Sequence, residues 1–237
     1  MIQTREIAYR DEDILCKGYL AFDASRPGRR PAVLVSHTIA GRDEFVENKA
    51  RRIAELGYAG FALDMYGERP SNATPEENRA LMNSLLNDRA LLARRIRAAL
   101  SAVRTLEEVD PQRIAAVGYC FGGLCVLDLA RSGADVRGVV STHGLLKAHD
   151  LPKERITAKV LALHGHEDPL APPEDVRAFE EEMTRAGADW QVHVYGGTQH
   201  AFTNPNAANP AAGLVYNPVA DHRAWTTLVA FLSEVLR

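Results

Sequence analysis

The sequence predicts an α/β protein: a mostly parallel eight-stranded sheet with an N-terminal antiparallel hairpin and helices on both faces. Three observations carry this. From about residue 31, apolar runs of strand length alternate with amphipathic segments of helix length, the order that lays parallel strands between two helical layers. The N-terminus instead holds two strand-like segments around a polar turn. The chain has 237 residues, 46% hydrophobic and 25% charged, enough for one large core and one domain over 1–237.

In chain order, Glu6–Tyr9 and Ile14–Phe22 form the hairpin around Arg10–Asp13. Pro31–Ser36 (PAVLVS) is a buried-strand pattern, and Glu44–Leu56 a helix that stops at Gly57. Tyr58–Asp64, Arg113–Val117, Val136–Thr142, Lys159–His164 and Asp189–Tyr195 complete the strands. Between Asp64 and Arg113, Pro75 suits the first turn of one helix. In the next helix Leu92, Ile96, Ala99, Leu100, Val103 and Leu106 keep helical spacing. The other face of that helix carries Arg89, Arg94, Arg95, Arg97 and Arg104, which reads as an anion-binding strip or as a solvated face. The last helix opens with Asn217 as cap, Pro218 in the first turn and Asp221 near the positive end of the dipole. Thr203–Asn217 is a long polar loop placed to rim a site.

Composition removes several functions. Lys+Arg is 28 and Asp+Glu is 31, a formal charge of −3, so the basic excess of a nucleic-acid binder is missing. No apolar stretch approaches the ~20 residues that span a bilayer, and the N-terminus lacks the pattern of a secretory leader. Three cysteines, Cys16, Cys120 and Cys125, make no disulfide scaffold. The expectation is a reduced, cytoplasmic protein in which a cysteine that matters acts as a thiol. No nucleic-acid or membrane partner is expected, and the sequence carries no signature of an oligomeric state.

The chemistry concentrates in Ala115–Leu124 (AAVGYCFGGL). An apolar strand runs into Gly118-Tyr-Cys-Phe-Gly122-Gly123 and an apolar segment leaves it, the Gly-x-nucleophile-x-Gly elbow with cysteine at its centre. Glycines flank the nucleophile because the strand-to-helix turn leaves no room for side chains. The following helix N-terminus favours a thiolate. The bland alternative is that Cys120 fills a core, as free cysteines often do; the glycines argue against it. Cys125, five residues on, is expected to face the core. No Lys-Ser/Thr follows the glycines, so this is no phosphate loop.

A nucleophile needs a base and the base an orienter, in chain order nucleophile, acid, histidine. Asp168 follows the Lys159–His164 strand in GHEDP, with Glu167 as the rival acid, and His200 follows the Asp189–Tyr195 strand in GGTQHAF. Three loops at one sheet edge thus bring Cys120, Asp168 and His200 together, where open α/β sheets bind ligands. The backbone N–H of Phe121 and one from His37–Gly41, with Ile39 favoured, are the expected oxyanion donors. His164 and His166 form an H-x-H pair, but no further ligand spacing supports a metal. Thr38, Tyr66, Arg69, Tyr119, His143 and Phe202 lie in loops near the predicted mouth and are candidate substrate contacts; His143 is equally a structural candidate.

With HTIAGRDEF, LDMYG at 63–67, GYCFGG at 118–123, HGHEDP at 164–169 and HAF at 200–202, nearly the whole chain resembles the dienelactone hydrolase family, within the α/β-hydrolase fold. The resemblance implies hydrolysis of a small ester or lactone through a thioester acyl-enzyme, without cofactor. It carries the triad onto Cys120, Asp168 and His200 and the oxyanion donors onto Ile39 and Phe121. Two positions depart from the family pattern: Thr38 stands where many members have a glutamate, and Asn204 where dienelactone-cleaving members have an arginine. A non-hydrolytic ligand-binding protein on the same fold, and a thioesterase or peptidase, are the competing readings.

Overall fold

A computed structural model describes residues 1–67, 73–150 and 155–237. Strands β1 (Ile2–Asp11) and β2 (Ile14–Asp23) form the hairpin; β3 (Arg30–Ser36), β4 (Ala59–Ala62), β5 (Val109–Tyr119), β6 (Gly138–Thr142), β7 (Lys159–Gly165) and β8 (Trp190–Tyr195) follow. They make one sheet in the order β1-β2-β4-β3-β5-β6-β7-β8. The β1–β2 and β2–β4 pairs are antiparallel, and every other pair is parallel. The helices are α1 (Glu44–Glu55), α2 (Pro75–Asn87), α3 (Arg89–Arg104), α4 (Phe121–Arg131), α5 (Pro173–Arg185) and α6 (Pro218–Val235).

The predicted class holds, with corrections at the elements. β1 and β5 run well beyond the apolar segments that announced them, because backbone pairing continues past the buried residues: β1 pairs from Ile2 to Asp11 with a mostly exposed face. Helix α5 had no sequence expectation. Its buried residues are only Phe179, Glu182 and Met183, too sparse a stripe among charges to announce a helix. The capping signals behave as expected. The Asn217 side chain accepts from the N–H groups of Val219 and Ala220, and Pro75 opens α2 behind a Thr74–Glu77 capping box.

Chain order reverses at β3, whose neighbours are β4 on one side and β5 on the other. A crevice opens where the connections diverge, at the carboxyl ends of adjacent strands. Ser36 pairs with Gly118, so the loops leaving β3 and β5 start at the same level.

The arginines of α3 form no uniform face: Arg94 and Arg97 are exposed, as a solvated face requires, whereas Arg95 and Arg89 turn inward onto carboxylates. Arg95 is buried and donates to Asp11 at 2.6 Å and to the Met65 carbonyl at 3.1 Å. Arg89 grips Asp128 of α4 through two hydrogen bonds of 2.5 and 2.6 Å. Asp128 and Arg131 are both fully buried. Arg131 joins Asp128 at 3.1 Å and Glu182 of α5 at 2.7 Å, and its NH2 group donates to the Leu146 carbonyl. This cluster ties α3, α4 and α5 to the segment after β6. Truncating one member leaves the others buried and unpaired, so Arg131→Ala is expected to lower unfolding free energy by about 3–5 kcal/mol. The urea midpoint checks it, and an unchanged midpoint would show that the cluster contributes nothing net.

Candidate active site

Steric crowding builds the centre of the site. Cys120 sits between β5 and α4 with φ 56° and ψ −119°, a region that costs a non-glycine residue about 1–3 kcal/mol. The turn survives because α4 is pressed onto the sheet. A Cβ on Gly118 would lie 1.9 Å from the Gly122 carbonyl oxygen, and one on Gly122 would lie 2.3 Å from the Ser36 carbonyl oxygen. The strained turn lifts the half-buried Cys120 thiol into the crevice at the amino end of α4. Cys125 lies buried on the core side, where burial pushes its thiol well up.

The loops after β7 and β8 supply the acid and base. Asp168 is buried, its Oδ1 accepting from Leu170 N–H at 2.8 Å and its Oδ2 meeting His200 Nδ1 at 2.7 Å. Glu167 is exposed, and Asp168 is the carboxylate bonded to His200. The other ring nitrogen of His200, Nε2, is buried without a conventional partner, and the Cys120 sulfur is the group it interacts with. Burial alone would lower the His200 pKa, but Cys120 and Asp168 outweigh it and push it up to about 10. Burial likewise opposes ionisation of Cys120. The His200 charge, its hydrogen bond and the N–H groups of Phe121 and Ile39 overcome this, and the thiol ends below its ordinary value. Both shifts favour a thiolate–imidazolium pair, and the two groups titrate as a unit.

The same N–H groups, Ile39 and Phe121, are the expected oxyanion donors. Phe121 N–H belongs to the first turn of α4. Ile39 N–H is aimed by a brace absent from the sequence reading. His37 Nε2 accepts from Met65 N–H at 3.0 Å, which leaves the ring proton on Nδ1. Nδ1 donates to the Thr38 carbonyl at 2.6 Å, and Gly41 N–H donates to the same oxygen at 3.2 Å. With its carbonyl pinned, the Thr38–Ile39 peptide turns its N–H toward the sulfur. The only advance signal was the histidine at the end of PAVLVS.

The candidate substrate contacts divide. Thr38 and His143 line the cleft with Ile39, Cys120 and His200, in a cavity of about 280 Å³. Tyr66 instead supports the oxyanion loop, its hydroxyl donating to the Ile39 carbonyl at 3.1 Å. Tyr119 and Phe202 are corrections. Both are buried on the α1–α6 side, Tyr119 edge-on to Phe45 and Phe202 against Tyr195. Arg69 lies outside the described residues. The Thr203–Asn217 loop forms the rim: Val215 N–H donates to the His200 carbonyl, and Asn204, Asn206, Asn209 and Leu214 face the cleft. His164 is buried and His166 exposed, both beside a separate shallow pocket under α5. Among the described residues no three His, Cys, Asp or Glu side chains gather as a metal site, and no helix is long and apolar enough to cross a membrane.

Comparison with known proteins shows the family. Residues 16–236 match the dienelactone hydrolase family. A provisionally named carboxymethylenebutenolidase of Synechocystis sp. is 26% identical, covering 94% of each chain. An uncharacterised Caenorhabditis elegans protein is 37% identical over 59% of this chain and 91% of its own. Among solved structures, a dienelactone hydrolase-like promiscuous phosphotriesterase from metagenomic libraries superposes with TM-score 0.92 and 36% identity, over 100% of this chain and 99% of its own.

The ion pair sets a pH signature. Alkylation of Cys120 by iodoacetamide is expected to keep its rate below the ordinary thiol pKa of about 8.5, where a free thiol loses about tenfold per pH unit. In His200→Ala only the two backbone N–H groups still oppose burial, the largest cause, and the midpoint is expected to move up past that of free cysteine. Rate against pH, read by peptide mass spectrometry, checks both. A wild-type midpoint at or above the free-thiol value would contradict the ion pair.

Proposed function

The chain belongs to the dienelactone hydrolase family, and from that premise we propose that it hydrolyses small carboxylic esters or lactones through a Cys120–His200–Asp168 triad and a thioester intermediate. The single observation that carries this reading is the position of His200, bonded at Nδ1 to Asp168 and turned at Nε2 toward the Cys120 sulfur.

The thiolate attacks the substrate carbonyl carbon, and the carbonyl oxygen takes the negative charge. The N–H groups of Ile39 and Phe121, already close to the sulfur, stabilise that oxyanion. His200 gives its Nε2 proton to the departing alkoxide, leaving a thioester on Cys120. His200 then takes a proton from water, hydroxide adds to the thioester, and the collapsing intermediate expels the thiolate while the acid product leaves. Asp168 holds the tautomer and stabilises the imidazolium throughout. Thr38 supplies no charge, its hydroxyl accepting from Ala40 N–H at 3.1 Å. Base catalysis falls to His200 alone.

The cleft lining supports an uncharged substrate. Asn204 and Asn209 tie their side-chain oxygens to the backbone N–H groups of Asn206 and Ala212, leaving amide donors beside the apolar Ile39, Ala201 and Leu214. Among the described lining residues there is no Lys or Arg. A second reading, phosphotriester cleavage, is favoured by the full-length similarity to a promiscuous phosphotriesterase. The same thiolate would attack phosphorus and expel an aryloxide, and water would free the S-phosphoryl group.

Cys120→Ala and His200→Ala are each expected to abolish p-nitrophenyl acetate hydrolysis in folded protein, and Asp168→Asn to lower kcat by about 10⁴-fold. Retained turnover in the first two would overturn the triad. Neutral p-nitrophenyl acetate is expected to show a higher kcat/KM than the anionic p-nitrophenyl hemisuccinate, and the reverse order would contradict the uncharged cleft. Diethyl p-nitrophenyl phosphate tests the second reading. Tight reversible binding of esters without turnover would identify a ligand-binding protein instead.

A further inference from the structure

His143 directly follows β6 in the STHG segment and, among the described lining residues, is the one ring of the cleft without a part in the steps above. It is buried, with φ 37°. Its Nδ1 accepts from the Cys120 backbone N–H at 3.1 Å, an amide it shares with the Thr142 carbonyl at 3.1 Å. A ring nitrogen that accepts from an amide carries no proton, so the proton sits on Nε2. That nitrogen meets Thr203 Oγ1 at 2.9 Å, as donor to the hydroxyl. Thr203 lies three residues after His200 on the same loop. One flat ring thus bridges the elbow that holds the nucleophile and the loop that holds the base. Its edge also packs against the His200 ring, centroids 5.2 Å apart, and against Phe202 at 5.2 Å.

The backbone delivers the ring to this place. Gly144 and Gly123 pack so closely that a Cβ on Gly144 would lie 2.9 Å from the Gly123 Cα. That approach brings the end of β6 against the first turn of α4. The Cys120 amide demands an acceptor and the Thr203 hydroxyl takes a donor or an acceptor, and a neutral imidazole serves both at once. The two histidines are separated in charge by their partners: His200 has a carboxylate, and His143 has an amide and a hydroxyl. Burial pushes the His143 pKa well down, and the charge of His200 adds to this, so the bridge stays neutral beside the imidazolium.

We propose that His143 is a positioning residue: a neutral imidazole clamp that holds the strained Cys120 turn in register with the His200 loop through Thr203. The proposal rests on the Cys120–His200 reading above, and a readout independent of ester turnover keeps the two separable.

The test uses the full chain with His143→Phe, His143→Asn, Thr203→Val and Thr203→Ser. It measures Tm, kcat and KM on p-nitrophenyl acetate, and the rate of Cys120 alkylation by iodoacetamide. His143→Phe is expected to lose about 10²-fold in kcat with KM little changed, the scale of a misplaced reacting group, and to slow alkylation. His143→Asn, which tolerates positive φ and can accept from Cys120 N–H, is expected to recover part of the loss. Thr203→Val is expected to fall in the same direction, and Thr203→Ser to stay near wild type. Wild-type kcat and alkylation in His143→Phe would overturn the clamp. If that variant does not fold, equal kcat in Thr203→Val and Thr203→Ser overturns it. If the wild type turns over no ester, the hydrolase reading falls, and alkylation rates still decide the clamp: slower in Thr203→Val than in Thr203→Ser supports it, and equal rates overturn it.

Discussion

The close approach of α4 to the sheet at Gly118 and Gly122 is the constraint on which the site depends. Without room for a Cβ at either glycine, the chain turns from strand to helix within one residue, and that residue is forced to φ 56°. The strain serves a geometric end. It places the Cys120 sulfur in front of the first helical N–H and at the level of the loop leaving β3, since Ser36 and Gly118 are paired in the sheet. A relaxed turn would point the side chain elsewhere and separate it from both N–H donors.

Charge then follows geometry. A buried thiol beside a buried imidazole would stay neutral if burial were the only effect. Asp168 beneath His200 and the N–H groups of Ile39 and Phe121 around the sulfur oppose that outcome and favour the ionised pair. The supporting groups are themselves held: His37 pins the peptide that aims Ile39 N–H, Tyr66 holds the Ile39 carbonyl, and the Arg89–Asp128–Arg131–Glu182 cluster fixes α4 against α3 and α5. Precision at the sulfur is thus distributed over side chains that never touch it.

Much of this was legible in one dimension. The elbow could be read because its glycines are demanded by a local turn. Asp168 and His200 could be read because each follows a strand of recognisable pattern. The inward pairing of Arg95 and Arg89 was not legible because their partners Asp11 and Asp128 are 84 and 39 residues away, and nothing local distinguishes a paired arginine from a solvated one. Tyr119 and Phe202 were placed at the mouth because their loops are there. Proximity in sequence says where a loop is, whereas side-chain direction is decided by the packing around it.

The sequence by itself determined the fold class and which cysteine, carboxylate and histidine meet at one sheet edge, because these rest on local rules: periodicity, capping, and the space a tight turn allows. The tertiary structure alone decided which peptide presents its N–H to the sulfur, that Glu167 faces solvent while Asp168 is buried, and that two histidines 5.2 Å apart are pushed in opposite directions. Those properties depend on long-range neighbours and burial, which exist only once the chain has closed on itself.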